Sequence, residues 1–210
     1  MWAHLQKIIR PTTRIPPTVL PAPFPTGRVW QLLELFFLLA DCLYLPEWLL
    51  LLNRVLKCNT RPLNERELAL AQSIFGSQIR YQDVRMDERA YLGCKHYRFA
   101  YVGFSGINTW GALSDPHFIH ELVHVWQYER VGSVYIPRAL HAQYAPAGYD
   151  YGGPAGLQSA LNQGATLHHF NYEQQGDIVA DYFCLLYDLP PRFCPPDRCY
   201  LPLFEAILVF

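Results

Sequence analysis

The spacing of apolar and polar residues divides the chain into three parts. Residues 1–28 have no periodic apolar pattern and hold six prolines between Pro11 and Pro25, a composition typical of an extended arm. Residues 29–56 are almost continuously apolar, and from Arg61 onward the pattern becomes that of a globular domain. We therefore expect a proline-rich basic arm (1–28), an apolar helical segment (29–58) and one folded domain (61–210).

The apolar segment reads VWQLLELFFLLADCLYLPEWLLLLNRVL, and its pattern favours helices. Glu34, Asp41, Pro46 and Glu47 interrupt it, so no stretch of about 18 residues is free of charge, as a membrane-spanning helix requires. Glu34 and Asp41 are seven residues apart and share one helix face. The pattern predicts a packed helical hairpin, with membrane contact through 29–56 as the alternative.

Within the domain, capping and stop residues define three helices. They are predicted over about 65–75 (Asn64 with Glu67, then Gly76), 115–131 (Asp115 as N-cap, Pro116, then Gly132) and 172–188 (Asn171 with Gln174, then Pro190). The segments IRYQDVRM and YRFAYVGF alternate as short strands do, and a further exposed strand near 107–110 is expected to align an extended substrate. Residues 133–170 predict a long irregular loop with short helical pieces. The fold class is therefore helix-rich α+β with a short sheet.

Composition narrows the function classes. Apolar residues make up 51% of the chain and aromatic residues 15%, which supplies a sizeable core. The formal net charge is −1 with no basic tract, so a nucleic-acid partner is not expected. Six cysteines without a C-x-x-C pair exclude a zinc ribbon and a thioredoxin-type site. Cys194 and Cys199 flank a Pro-Pro-Asp-Arg turn, and this sequence is compatible with either a disulfide or two free thiols.

The chemistry begins with the sequence His120-Glu121-Leu122-Val123-His124, the HExxH pattern of zinc peptidases. Residues four apart lie on one helix face, separated along the axis by ~6 Å, so both imidazoles can bind one ion. Glu121 then projects beside the metal, where it can take a proton from water on the zinc and pass it to the leaving amine. A random HExxH is expected in roughly one such chain in a hundred, so the alternative is an ordinary apolar helix with three polar residues.

A catalytic zinc needs a third protein ligand and an open position. Gln127 and Arg130 stand where the extended motif HExxHxxGxxH has glycine and histidine, which excludes the metzincin arrangement. Downstream, NYEQQGDIVADYF places Glu173, Asp177 and Asp181 on one face of the capped helix. Glu173 is the predicted third ligand, and Asp177, with Asp181 behind it, is predicted to hold a ligand histidine by its free ring N–H.

Other residues remain candidates for each role. The alternative third ligands are Asp150 in the GYDYGG loop, Asp177 binding directly, His141, His168 and His169. The candidate donors to a tetrahedral oxyanion are Tyr149, Tyr151 and Tyr172. His117, one turn before the motif, is expected to be exposed or to lie beside the ligands.

HELVHVWQ, followed some 50 residues later by NYEQQGDIVADYF, resembles the zincin metallopeptidase-type effector domains attached to type VI secretion VgrG and Rhs proteins. FGSQIRYQDVRM (75–86) is similar to the segment that precedes the motif in related domains of contractile injection systems. The resemblance covers about 61–188. It implies a zincin-like fold, His120, His124 and Glu173 as ligands of one catalytic zinc, and Glu121 as catalytic base. No spike or Rhs repeat precedes the domain within these residues, which leaves the delivery route open.

The leading interpretation is a gluzincin-like zinc metallopeptidase that hydrolyses peptide bonds by Glu-assisted attack of zinc-bound water. The resemblance implies a bacterial effector or toxin that is translocated or secreted, with a protein or peptide substrate and a secretion-apparatus or immunity partner. One alternative is a zincin-like binding or docking module with a structural metal or none. Another is a membrane-associated housekeeping protease.

Overall fold

The computed structural model describes residues 27–57, 59–91, 94–97 and 99–208. The proline-rich arm predicted over 1–28 therefore lies almost entirely outside the described residues. Over the described ranges the fold is helix-rich α+β with one small sheet, as the sequence pattern indicates. The helices are α1 (Arg28–Cys42), α2 (Leu45–Leu56), α3 (Glu65–Phe75), α4 (Cys94–Tyr97), α5 (Asp115–Val131), α6 (Tyr135–Tyr144), α7 (Gly153–Asn162), α8 (Tyr172–Leu186) and α9 (Leu201–Ile207), and the strands are β1 (Arg85–Asp87), β2 (Tyr101–Gly103) and β3 (Gly106–Asn108).

Helices α5 and α8 form the centre of the molecule and pack against each other. Eleven consecutive residues of α5, Phe118 to Tyr128, are buried, because α8, α3 and the sheet surround the helix. Gly176 on α8 allows the close approach of the two helices. A Cβ there would lie 2.5 Å from a ring carbon of His120, so a larger residue would displace that ring.

The capping predictions describe α3 and α8 well. Asn64 and Glu67 form a reciprocal capping box at α3, and Asn171 forms one with Gln174 at α8. Helix α8 ends at Leu186, two residues before the predicted end. The predicted N-cap of α5 is wrong by one residue, because Ser114 has the extended backbone of a cap and Asp115 already lies in the helix.

The sheet has the order β1-β3-β2, with β1 and β3 parallel and β2 and β3 antiparallel. The expectation of an exposed strand near 107–110 is wrong, because β3 is the central strand and Ile107 is fully buried. Only the ends of the two predicted strand segments are strands. Residues Tyr81–Asp83 form a 3₁₀ turn and Cys94–Tyr97 a short helix instead.

The region 133–170 is more regular than predicted. It contains α6 and α7, each ten residues long, joined by a short turn-rich stretch. Tyrosine, glycine and proline made this region look irregular, yet Pro137 and Pro154 sit near helix starts, where a missing N–H costs nothing. Helix α6 packs on α1, α5 and α8 and forms one wall of the site described below.

Helices α1 and α2 cover the predicted apolar segment as a bent pair of helices, called the α1–α2 hairpin below. Most of their large apolar side chains are exposed, so the expectation that this segment is packed is wrong. The pair attaches to the domain through polar groups. Glu34 accepts hydrogen bonds from Arg138 on α6 (Nε to Oε1, 3.1 Å), and Asp41 accepts one from the backbone N–H of Ser133 (2.9 Å). The shared face of Glu34 and Asp41 therefore turns toward the protein. Within the described residues no single helix is long and apolar enough to cross a bilayer. Helix α1 and Leu45–Asn53 reach that length and composition only together, and they are bent by 73°.

Candidate metal centre

Three side chains from α5 and α8 meet in the buried centre of the molecule. His120 and His124 come from consecutive turns of α5, and Glu173 comes from the first turn of α8. Their ligand atoms all lie within 4.8 Å of one another. Glu173 Oε2 is 3.2 Å from His120 Nε2 and 3.5 Å from His124 Nε2. The structure thus brings together the three residues that the motif and the capped helix indicate.

Gln127 determines the orientation of His124. Its side-chain NH₂ donates to the carbonyl of Tyr172 and to Gln175 Oε1, both at 2.9 Å. Its oxygen must therefore be the atom that faces His124 Nδ1, at 2.8 Å, and Nδ1 carries the proton. The Nε2 of His124 is then left with a lone pair directed at Glu173.

Asp177 determines the orientation of His120. Its Oδ1 lies 2.9 Å from His120 Nδ1, and a carboxylate at this position accepts the ring N–H. Its Oδ2 accepts a hydrogen bond from Arg192 (3.1 Å), which fixes the carboxylate in turn. The Nε2 of His120 is consequently also left with its lone pair toward Glu173. This is the histidine–carboxylate hydrogen bond that the helix spacing predicts.

Two imidazole lone pairs and one carboxylate oxygen thus converge on the same point. Such an arrangement requires a cation between them, either protons or a metal ion. Without a metal ion, a proton takes this place on His120. Burial alone lowers the pKa of His120, but the hydrogen bonds from its two ring nitrogens to Asp177 and Glu173 outweigh it and raise the pKa to about 10. Burial also lowers the pKa of His124, but the charge of Glu173 outweighs it and raises that pKa. At Glu173 burial acts in the opposite direction, and the two histidines outweigh it and lower the pKa of the carboxyl group.

The two distances from Glu173 to the ring nitrogens fit zinc. Ligands at about 2.0–2.1 Å from a tetrahedral ion are about 3.3 Å apart. The observed 3.2 and 3.5 Å from Glu173 Oε2 to the two ring nitrogens bracket that value. Two nitrogens and one oxygen are also a donor set that zinc accepts in catalytic sites. The second oxygen of Glu173 accepts a hydrogen bond from Gln143 (2.8 Å), which holds the carboxylate with a single oxygen toward the histidines.

Glu121 lies beside this cluster and does not belong to it. One of its oxygens is 3.2 Å from His117 Nε2. The other, Oε2, is buried and has no hydrogen-bond partner among the described residues. A buried carboxylate oxygen without a partner is costly, and such atoms mark places where a water or substrate group binds. His117, expected to be exposed or beside the ligands, is half exposed and contacts this carboxylate.

A cavity of about 870 Å³ opens onto the cluster. His120, His124, Glu121 and Glu173 all line it, and it is open to solvent on one side. Tyr135 stacks on His124 within the wall, with ring centroids 6.2 Å apart. This volume lies within the range of pockets that hold a ligand, and it is large enough for a short peptide segment.

Several residues proposed from the sequence lie elsewhere. Asp181 contacts neither ligand histidine. It accepts the hydroxyl of Tyr151 (2.7 Å) and the backbone N–H groups of Arg192 and Phe193, so it fixes the segment that carries Arg192. Asp181 thus supports Asp177 only indirectly, through Arg192, and it does not reach the histidines because i+8 on α8 passes beyond them.

Two of the three tyrosine candidates do not line the cavity. Tyr151 is buried and bonded to Asp181, and the Tyr172 hydroxyl accepts a hydrogen bond from Arg138 (3.1 Å) away from the cavity. Tyr149 alone lines the cavity, with its ring 6.1 Å from that of His120. Burial and the charge of Glu173 raise the pKa of Tyr149, so its hydroxyl keeps its proton.

The alternative third ligands are distributed over the rest of the molecule. Asp150 is exposed and accepts the backbone N–H of Gly152, which excludes it from the cluster. The ring of His141 packs edge-on against Trp30, and the ring of His168 stacks on Trp126. His169 accepts a hydrogen bond from the backbone N–H of Thr166. Cys194 and Cys199 are both free thiols in this structure.

Three residues that support the cluster were not predicted from the sequence, namely Gln127, Gln143 and Arg192. Gln127 lies three residues after His124 and thus on the same helix face, a spacing that contains the signal. Gln143 and Arg192 come from α6 and from the segment after α8. Nothing local indicates their proximity, because they reach the cluster through tertiary packing.

No family model matches the chain. Over 136 residues it is 36% identical to the type VI secretion system spike protein VgrG2b of Pseudomonas aeruginosa, an alignment that covers 59% of this chain and 13% of the spike protein. The chain is therefore homologous to one part of a secretion spike protein.

The solved structure of the effector domain of Pseudomonas aeruginosa VgrG2b is 26% identical to this chain, with a TM-score of 0.49. The match covers 70% of this chain and 83% of that domain. Because the chain spans 13% of the whole spike protein, the activity and partners of that protein do not transfer to it by similarity alone.

Proposed function

We propose that this chain is a zinc-dependent metallopeptidase with a zincin-like, gluzincin-type site, acting as a bacterial effector. The observation that carries the proposal is the convergence of three lone pairs, from His120, His124 and Glu173, beside a buried carboxylate oxygen of Glu121 that has no partner in the described part of the chain. A cation between the three ligands and a water at Glu121 would satisfy every one of these atoms.

His120, His124 and Glu173 would hold the ion, and Asp177 and Gln127 keep both rings in the tautomer that binding requires. When bound, zinc lowers the pKa of water and polarises a carbonyl group. A structural zinc has four protein ligands, whereas three candidates meet here among the described residues, and a cavity opens beside them. This favours a catalytic site over the alternative of a docking module with a structural metal.

The chain's own residues supply the proton chemistry. Glu121 Oε2 accepts a proton from water in the cavity, and the same carboxyl group returns it to the leaving amine. His117, at 3.2 Å from the other oxygen, fixes the orientation of Glu121. Tyr149, whose hydroxyl keeps its proton, is the group that can donate a hydrogen bond to the oxyanion formed from the peptide carbonyl.

The effector role rests on sequence similarity to part of VgrG2b, which is named as a spike protein of type VI secretion. By this reasoning the chain is translocated or secreted with a secretion-apparatus partner, an immunity partner protects the producing cell, and the substrate is a protein or peptide. The alternative of a housekeeping protease has no comparable support, because the relative belongs to a secretion system.

The test is peptide cleavage by the purified full chain. An unfolded protein and a peptide library are incubated with the zinc-supplied wild type, with Glu121→Gln and with chelator-treated wild type, and products are read by mass spectrometry. We expect cleavage by wild type alone, with the rate of Glu121→Gln lower by about 10²–10⁴-fold at unchanged zinc content. Equal cleavage by Glu121→Gln, or no cleavage by a wild type that carries zinc, would overturn the proposed peptidase mechanism.

A further inference from the structure

Helix α1 has its polarity reversed relative to an ordinary surface helix. Its outward stripe, defined as Val29, Leu32, Phe36 and Leu39, repeats at spacings of three, four and three residues and is 69, 66, 59 and 55% exposed. A surface helix of a water-soluble domain normally turns such a stripe toward the core. Here the stripe faces away from the protein.

The opposite face of α1 carries the polar residues and the attachments. Glu34 is buried and paired with Arg138, and Asp41 accepts the backbone N–H of Ser133. The Ser133 hydroxyl donates in turn to the carbonyl of Phe37 (3.2 Å). These bonds hold α1 in a defined orientation, so its apolar stripe is presented outward by the fold.

Helix α2 extends this apolar surface. Tyr44, at the bend, and Trp48 are each 67% exposed, and Leu51 and Leu52 follow one turn later. Fourteen of the twenty exposed large hydrophobic residues in the described part of the chain lie between Val29 and Leu52. An exposed apolar surface this concentrated marks an interaction site.

The charge around this surface indicates the partner. Both acidic residues of α1 are turned toward the protein, which leaves Glu47 as the exposed acidic residue on α1 and α2. In the sequence, residues 1–28 contain Lys7, Arg10, Arg14 and Arg28 and no Asp or Glu, and the last of these arginines begins α1. A basic sequence that leads into exposed apolar helices complements a surface that is apolar with an anionic border.

We propose that the apolar face of α1 and α2 binds a phospholipid bilayer that contains anionic lipid, lying in its interfacial region. Tyr44 and Trp48 are the side chains that prefer the headgroup level, and the stripe of α1 reaches the acyl boundary. A surface that binds a folded protein partner instead has an apolar centre surrounded by hydrogen-bonding groups. The outward stripe of α1 contains no hydrogen-bonding side chain.

This lipid surface is independent of the proposed peptidase activity, since none of its residues lines the cavity. It is nevertheless close to the site in the fold, because α1 packs on α6 and α6 supplies Gln143 to the cluster. Binding would place the cavity beside a membrane surface.

The test is flotation of the full chain with vesicles of phosphatidylethanolamine and phosphatidylglycerol, and with vesicles of phosphatidylcholine alone. Leu32→Gln/Phe36→Gln removes the centre of the stripe. Tyr91→Gln/Tyr187→Gln is the matched control, since it changes two exposed large hydrophobic residues elsewhere. Circular dichroism and thermal melting check that all variants are folded, and light scattering gives their oligomeric state.

We expect the wild type and the control to float with the phosphatidylglycerol vesicles, more weakly with phosphatidylcholine, and the stripe variant to partition at least ~10-fold less. Failure of the wild type to float, or equal flotation of the folded stripe variant, would overturn the proposal. A wild-type dimer that the stripe substitutions convert to a monomer would assign the face to a second copy instead. Equal binding to both kinds of vesicle would refute the preference for anionic lipid.

Discussion

The α5–α8 centre and the α1–α2 hairpin both reverse the usual distribution of polar and apolar residues, in opposite directions. The centre buries His120, His124 and Glu173 in the core of the molecule, whereas the hairpin exposes most of the large hydrophobic residues that the structure leaves at the surface. In the centre, a dedicated partner orients each buried polar ligand. In the hairpin, the polar residues serve as attachments to the domain. Such local departures from the folding rule are expected where a protein binds something else.

Removing the buried ion pair between α1 and α6 should detach the hairpin and destabilise the protein most. Arg138→Leu leaves Glu34 buried and unpaired, and we expect a loss of about 3–5 kcal/mol in the free energy of unfolding. Chemical denaturation measures it. The matched control is Arg198→Leu, which breaks an exposed pair with Asp188 and should cost no more than about 1 kcal/mol.

The double variant Glu34→Leu/Arg138→Leu tests whether the unpaired charge of Glu34 causes this loss of stability. It removes both charges, so most of the lost stability should return. If Arg138→Leu alone unfolds no more easily than the control, the buried pair does not attach the hairpin, and α1 is held by apolar packing.

In the centre, the residue to change is Gln127, which fixes the tautomer of His124. Gln127→Leu should weaken zinc binding by about 10–100-fold, as substitutions of residues that orient metal ligands do. Competition with a chromogenic chelator measures the affinity. Nitrogen NMR of the metal-free protein, at a pH high enough to keep the His124 ring neutral, should show His124 losing its preference for a proton on Nδ1.

Gln158→Leu is the control for Gln127, because Gln158 is exposed and bonds only within α7, to Asn162. Unchanged affinity and an unchanged tautomer in Gln127→Leu would show that the ring of His124 is oriented by packing against Tyr135.

The smallest change in stability is expected at His168, whose ring stacks on Trp126 of α5. Burial lowers the pKa of His168, so the folded protein resists a proton that the unfolded chain accepts near pH 6.5. Its contribution to stability is present above that pH and is lost as the pH falls below it. His168→Phe keeps the stack and should lose less stability than the wild type between pH 8 and pH 5.5, in chelator.

Urea unfolding at the two pH values measures this difference, and His96→Phe, at an exposed position, controls for the substitution itself. Identical losses of stability in the wild type and His168→Phe would show that His168 has the same pKa in the folded and the unfolded chain.

The parts of the fold that could be predicted depend on local chemistry. The capping boxes at Asn64 and Asn171 bound α3 and α8 because they act within one helical turn. The HExxH spacing placed two histidines on one face for the same reason, and Glu173 followed from the start of the second helix. The binding of zinc by these residues remains a prediction.

The parts that could not be predicted depend on tertiary packing. The sheet order makes β3 central, so its expected exposure was wrong, although its local sequence reads as a strand. Tyr149 and Tyr151 are two residues apart, yet one lines the cavity and the other is bonded to Asp181. Gln143 reaches Glu173 across 30 residues of chain, a proximity that no local pattern indicates.

The most direct test of the central claim is the zinc content of the purified full chain, measured by elemental analysis after zinc is supplied and excess removed. The matched set is wild type, Glu121→Gln, His120→Ala, Glu173→Ala and His141→Ala, the last a histidine outside the cluster. We predict one zinc per chain in wild type, Glu121→Gln and His141→Ala, and its loss in His120→Ala and Glu173→Ala. Zinc that persists in Glu173→Ala, or a wild type that binds none, would contradict the α5–α8 metal centre.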